Sequence, residues 1–139
     1  MKKIILISIF VLSVVACKKT KFSPEGPTDI RIRNLTDQNF TEVVVKTSEN
    51  DDDIDTLGNI NHKEVSDYFR FKKAYTDIEI SAKINLGGSM VTFSTGKVNY
   101  SYLHYIGQDR ITYEVFIPGM DTRELKISNR IIEEPLILK

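Results

Sequence analysis

Hydrophobic and polar residues alternate one by one over long stretches of the chain after residue 28. The clearest alternation runs from Ile78 to Leu86, and a second runs from Ile111 to Ile117. Because successive side chains of a β-strand point to opposite faces, this period of two predicts strands with one buried face. No stretch has a convincing 3.6-residue period, which is the mark of an amphipathic helix.

Shorter segments of the chain predict further strands. Alternating, β-branched or aromatic residues predict strands over the ranges 30–33, 40–47, 54–60, 65–71, 90–95, 100–105 and 125–132, the last with a kink. Gly87-Gly88 predicts a hairpin turn, and Asn61-His62-Lys63-Glu64 predicts another turn. Short strands separated by frequent turns favour an antiparallel β-sandwich over a parallel sheet. We therefore predict one all-β domain of about seven to nine strands over residues 28–139.

A different pattern occupies the N-terminus. Met1-Lys2-Lys3 is positively charged and precedes an almost wholly apolar run from Ile4 to Val15. A run of this length suits the hydrophobic helix of a secretory signal, whereas a membrane-spanning helix needs about 20 apolar residues. We predict a signal peptide over residues 1–16.

The apolar run ends in Val14-Val15-Ala16-Cys17, which resembles the lipobox of bacterial lipoproteins. Val14 stands where leucine is commonest in that motif. The resemblance implies that the Cys17 thiol receives a diacylglyceryl group and that a dedicated peptidase cuts before Cys17. The new α-amino group is then usually acylated as well, and two or more acyl chains hold a protein stably to a membrane. We expect membrane attachment through lipid on Cys17.

The residues after Cys17 predict a tether over residues 17–27. Pro24, Gly26 and Pro27 prevent regular structure there. The stretch from Lys18 to Pro27 could hold the domain up to about 33 Å from the membrane when extended. Lys18 stands where inner-membrane lipoproteins commonly carry aspartate. The resemblance thus implies a cell-envelope lipoprotein of the outer membrane, and the lack of an acidic export tag after Cys17 favours the periplasmic side.

The domain itself resembles a group of small envelope lipoproteins of Gram-negative bacteria. The shared pattern is a strand ending in Asn, an aromatic residue, a Val-rich strand, a Gly-x-Ile turn ending in Glu, and a Ser-x-Tyr strand. In this sequence the pattern is Arg33-Asn34, Phe40, Val43-Val44-Val45, Leu57-Gly58-Asn59-Ile60, Glu64 and Ser66-Asp67-Tyr68, followed by Lys73-Ala74-Tyr75. Asn61-His62-Lys63 departs from it, since a Pro or Gly turn is more usual. The resemblance implies an immunoglobulin-like sandwich and no particular activity.

Composition narrows the possible partners. Without Lys2 and Lys3, 17 basic residues face 19 acidic ones, so no basic stripe predicts nucleic-acid binding. Cys17 is the only cysteine, so the domain has no disulfide and rests on its hydrophobic core.

Two groups of residues are candidates for ligand binding. Asp51, Asp53 and Asp55 have the one-three-five spacing of a calcium loop, but Thr56 and His62 stand where an EF-hand needs Gly and Glu. A looser calcium site stays open, although a solvated hairpin loop is favoured and no metal site is expected. On an extended segment, Tyr100, Tyr102 and His104 would share one face, which predicts either a platform for sugar rings or ordinary packing between strands.

Catalysis is not expected. Only two histidines are present, no cysteine remains free as a nucleophile, and no Gly-x-Ser-x-Gly or His-Glu-x-x-His motif occurs. We predict a non-catalytic, lipid-anchored envelope protein without a cofactor, acting as an interaction module for another envelope protein. Binding of a small ligand, a glycan or calcium, is the alternative.

Overall fold

A computed structural model of the chain describes residues 26–49 and 53–133. The proposed signal peptide, Cys17, most of the tether and Asp51 lie outside these described residues. Ten strands occupy the described part: β1 (Thr28–Asn34), β2 (Phe40–Lys46), β3 (Ile54–Ile60), β4 (Phe69–Phe71), β5 (Ala74–Tyr75), β6 (Glu79–Leu86), β7 (Ser89–Ser94), β8 (Tyr105–Ile106), β9 (Arg110–Phe116) and β10 (Lys126–Glu133).

The strands form two sheets of four and one short ribbon. The first sheet has the order β10-β9-β1-β4, the second has the order β3-β2-β6-β7, and β5 pairs with β8. Apolar side chains from both sheets are buried together between them, led by Tyr113, Phe40 and Phe93. The apolar residues that the one-by-one alternation places on the inner face of a strand are the ones that the structure buries. The predicted all-β sandwich is therefore confirmed.

One pairing differs from a purely antiparallel sandwich. β1 runs parallel to β9, with Asp29 opposite Arg110 and Asn34 opposite Val115. Parallel neighbours need a long connection, and here the chain between them builds the whole second sheet. The alternation within each strand cannot reveal this direction, because a strand buries the same face whichever way its neighbour runs.

The polar turn at Gly87-Gly88 joins β6 to β7 as predicted. Both glycines have positive φ, 61° and 93°, which residues with a Cβ adopt only under strain. β10 is one strand through residue 133, and an irregularity between Ile127 and Asn129 provides the kink that the sequence suggests. Across the described ranges, no helix is long and apolar enough to cross a membrane.

The predicted strand over residues 100–105 is wrong. Tyr100–Tyr102 is a single turn of 3₁₀ helix, and only Tyr105–Ile106 is extended. The side chain of Asn99 accepts a hydrogen bond from the backbone N–H of Ser101 and caps this turn. Such capping by a short polar side chain competes with strand formation, and it redirects the aromatic residues that follow.

The sandwich has two distinct ends, which we call the tether end and the far end. At the tether end, Thr28 begins β1 and donates its hydroxyl to the carbonyl groups of Ile106 and Gly107. The β5–β8 ribbon and the 3₁₀ turn lie at this end. The far end holds the loop after Asn34 and the Gly87-Gly88 hairpin, so β7 begins there and runs back toward the tether.

Candidate functional site

Three tyrosine rings gather at the tether end. The ring centres of Tyr75 and Tyr100 are 5.4 Å apart and tilted by 50°, and those of Tyr75 and Tyr105 are 5.8 Å apart and nearly perpendicular. These are the geometries that aromatic pairs prefer. The hydroxyl of Tyr113 donates to the backbone carbonyl of Tyr75 and so fixes β5 beneath the cluster.

A small cavity opens beside these rings, and we call it the tyrosine pocket. Its volume is about 180 Å³. The pocket combines two aromatic rings, two hydroxyls and two opposite charges, so it offers an apolar surface together with hydrogen-bond donors and acceptors. Its lining residues are Ser48, Glu49, Lys73, Tyr75, Tyr100 and Ser101.

The Tyr100 side chain is anchored from below. Its hydroxyl donates to the backbone carbonyl of Lys46 at 2.9 Å, at the end of β2. Burial, followed by the nearby negative charge of Glu79, raises the pKa of Tyr100 to about 12. The ring is therefore neutral at physiological pH and is a rigid wall of the pocket.

The three residues of the predicted aromatic platform are not brought onto one face. Tyr100 is 5% exposed and forms part of the pocket wall, whereas Tyr102 is 90% exposed. His104 is also exposed, and its backbone carbonyl accepts a hydrogen bond from the N–H of Thr76. The expectation of a shared strand face is wrong because the 3₁₀ turn rotates successive side chains by about 120° instead of alternating them.

The aspartates considered as weak candidates for calcium binding are also separated. Asp53 is buried and accepts a hydrogen bond from the Ser48 hydroxyl at 2.9 Å. Asp55 is exposed, and its carboxylate bonds the backbone N–H of Thr56. Asp51 lies outside the described residues. Within residues 26–49 and 53–133, no group of three acidic, histidine or cysteine side chains is placed to hold a metal ion.

A second feature is the outer edge of β7. β7 is the last strand of its sheet, so among the described strands its outer side has no ladder partner. Only its final residue is covered, since Ser94 exchanges backbone hydrogen bonds with Arg123 and Leu125. Backbone groups of alternate residues point the same way in a strand, so those of Met90 and Thr92 face the open edge as those of Ser94 do.

The β7 edge lacks the features that usually prevent strands from pairing. It has no charge, proline or bulge, and Met90 on it is 51% exposed. Proteins normally protect edges with these features. The other edges have such protection: β4 has only three residues, β10 is charged and irregular, and β3 carries Asp55 and pairs irregularly with β2.

The outer face of the first sheet is crowded with paired charges. Arg31 on β1 bonds Glu133 on β10 at 2.7 Å, across the intervening strand β9, and Arg33 bonds Glu114 on the neighbouring β9 at 2.8 Å. The Tyr68 ring lies 4.6 Å from the Arg31 guanidinium. The Tyr68 hydroxyl, with smaller effects from Thr112 and Arg31, lowers the pKa of Glu133. Within these two ion pairs the charges neutralise each other, while Asp29 faces both Arg70 and Arg110.

Sequence reasoning found Tyr100 and missed the rest of the tyrosine pocket. Lys73 and Tyr75 come from one loop and strand, Glu49 follows β2, and Ser101 lies on the 3₁₀ turn. Only the pairing of β5 with β8 brings these distant segments together. The sequence does contain many tyrosines within residues 68–113. Their number does not predict which of the rings contact one another in the fold.

No protein-family model matches the chain, and no curated protein matches it. Among solved structures, the NMR structure of a protein from Eubacterium rectale is similar, with 16% sequence identity and a TM-score of 0.47. The similarity covers 73% of this chain and 88% of that chain. At this level the likeness says nothing about what the protein binds.

Proposed function

We propose that this protein is a non-catalytic, lipid-anchored module of the bacterial cell envelope that binds a partner protein through the open edge of β7. The lipobox-like sequence at Cys17 supports the anchor. The observation that carries the binding role is the β7 edge itself, because it alone among the four edges of the two four-stranded sheets described lacks protection. The periplasmic side of the outer membrane is the proposed location.

The β7 edge can accept a short added strand. Met90 and Thr92 each present one N–H donor and one C=O acceptor toward the open side, and β7 pairs with β6 without a register shift. A straight, regular strand is the template that β-strand addition requires. Backbone hydrogen bonds would give affinity, and side-chain pockets would give selectivity.

The chemistry of the partner follows from the two faces of β7. Phe93 is buried and Val91 is half-buried on the inner face, while Met90 and Thr92 are exposed on the outer face. An added strand would place alternate side chains beside Val91 and Phe93, so those side chains should be apolar. The partner is therefore an extended, largely uncharged segment with apolar residues at every second position.

A second copy of this chain fits the edge less well. Antiparallel pairing of two β7 strands would point the two tether ends in opposite directions along the strands. Both tethers must enter one membrane, and each reaches about 33 Å at most. The free part of β7 also begins at the far end, where a protein extending from elsewhere in the envelope can reach it.

The test is site-specific photocrosslinking in cells, with a photoreactive amino acid placed at Met90. A single defined adduct is expected, and sequencing should locate the crosslink in an extended segment of the kind described. Thr92→Lys should abolish the adduct, because it adds a charge to the open edge without touching the core. Thr56→Lys is the matched control, since Thr56 is an exposed threonine on the already protected edge strand β3.

Three results would overturn the proposal. The first is an adduct that persists in Thr92→Lys, and the second is an adduct that Thr56→Lys abolishes equally. A crosslinked homodimer would show that a second copy is the partner instead. Circular dichroism of both variants should match that of the parent protein, which separates loss of binding from loss of folding.

A further inference from the structure

We propose that the tyrosine pocket binds a single uncharged sugar ring. The pocket lies at the tether end, and the β7 edge leads toward the far end, so this site is independent of the proposed protein-binding role. The proposal rests on the chemistry and size of the cavity formed by Ser48, Glu49, Lys73, Tyr75, Tyr100 and Ser101.

The aromatic wall suits the apolar face of a sugar. Tyr75 and Tyr100 are held against each other at 5.4 Å, and Tyr100 is fixed by its bond to the carbonyl of Lys46. A pyranose presents C–H groups on one face and hydroxyls around its rim. The half-buried ring of Tyr75, held in place by the buried Tyr100, can cover part of that C–H face with little loss of side-chain entropy on binding.

The polar groups of the pocket match the rim of such a ring. Lys73 supplies donors, Glu49 supplies acceptors, and the Ser101 hydroxyl can do both. The Ser48 hydroxyl donates its proton to Asp53 and is left with acceptor capacity only. Because Lys73 and Glu49 have opposite charges, the pocket has no net charge from these two side chains. A charged ligand would therefore be attracted by one of these side chains and repelled by the other. A neutral polyol can form hydrogen bonds with both.

Size limits the ligand to one ring. The volume of about 180 Å³ is below the range of roughly 300–1,000 Å³ typical of sites for drug-sized molecules. Tyr102 directly follows the pocket residue Ser101 and is 90% exposed. A ring attached to the bound sugar could stack on Tyr102, but the pocket itself has room for only one.

The experiment is a titration of the mature, acylated protein in a detergent that has no sugar head group. The probes are D-glucose, D-galactose and N-acetyl-D-glucosamine, with D-glucuronate and D-glucosamine as charged counterparts. Tyrosine fluorescence reports binding directly, because the chain contains no tryptophan. The thermal midpoint is the second measurement, since a ligand of the native state raises it.

Two pairs of variants locate the site. Lys73→Ala and Glu49→Gln change exposed pocket residues, and each should weaken binding about tenfold or more by removing charge-assisted hydrogen bonds. Lys72→Ala and Glu42→Gln are the matched controls, since both residues are exposed and neither lines the pocket. The controls should bind within about twofold of the parent protein.

We expect saturable binding of at least one neutral sugar, with weaker binding of its charged counterparts. Absence of saturation with all three neutral sugars up to about 50 mM would overturn the proposal, since a weaker site carries no useful affinity. Tighter binding of a charged probe would overturn it too, as would binding that Lys73→Ala and Glu49→Gln leave unchanged. Loss of the Met90 crosslink would contradict the proposed binding role of the β7 edge and would leave the sugar-binding proposal unaffected.

Discussion

Replacing Asn34 with alanine should lower the free energy of unfolding by about 3 kcal/mol, because Asn34 holds three segments of the far end together. Asn34 is fully buried at the end of β1. Its side-chain amide donates to the carbonyl of Gln38 at 2.7 Å and to that of Asn61 at 3.1 Å, with a longer contact to Ile60. Its carbonyl oxygen accepts from both the N–H and the hydroxyl of Thr36.

The magnitude follows from these bonds. Four of them are short, and each contributes about 0.5–1.5 kcal/mol net, which gives about 4 kcal/mol if none is replaced. The Thr36 hydroxyl keeps a second partner, the Gln38 carbonyl at 3.0 Å, so part of that loss is offset. The other three bonds, to the carbonyl groups of Gln38 and Asn61 and from the N–H of Thr36, account for the expected loss of about 3 kcal/mol.

Urea unfolding at pH 7, followed by circular dichroism and tyrosine fluorescence, measures the change. Asn34→Asp should be at least as destabilised, because it keeps the size of the side chain but removes both donors and buries a charge. Asn59→Ala is the matched control at an exposed position on β3 and should change stability by less than about 0.5 kcal/mol. A loss below about 1 kcal/mol in Asn34→Ala, with an unchanged dependence on urea, would refute the reasoning.

Two further predictions concern the anchor and the buried tyrosine. Cys17→Ser should abolish incorporation of labelled fatty acid and leave the precursor uncut by the lipoprotein peptidase; cleavage elsewhere with release of a soluble protein would contradict the lipid anchor. The pKa of Tyr100 is raised to about 12, so the folded state keeps a proton that the unfolded state loses above pH 10. The contribution of Tyr100 to stability is therefore complete below pH 10 and should fall by about 1 kcal/mol between pH 10 and 11, as urea midpoints would show. Burial also raises the pKa of Tyr113, so some loss of stability above pH 10 should remain in Tyr100→Phe. The loss should nevertheless be smaller than in the parent protein by the Tyr100 contribution, and an equal slope in both proteins would contradict this origin.

The alternation of residues was enough to predict the long strands and the core, although it wrongly made a strand of residues 100–105. Ile78, Ile80, Ala82 and Ile84 all face the interior, as their period of two requires. The hairpin at Gly87-Gly88 was equally clear, because its backbone conformation depends on those two residues alone. These features depend on residues that are close together in the sequence, so they can be predicted from the sequence alone. The lipid anchor at Cys17 is likewise a prediction of the sequence, since it rests on residues outside the described part.

Only the tertiary structure decided which strands meet and which residues form a site. The parallel pairing of β1 with β9 joins segments separated by the entire second sheet. The tyrosine pocket depends on the β5–β8 ribbon and on one 3₁₀ turn that a single asparagine caps. The open edge of β7 exists because β7 is the last of the described strands in its sheet, which depends on sheet order. Contacts between distant segments are set by the packing of the whole chain, and a local pattern of polar and apolar residues does not record them.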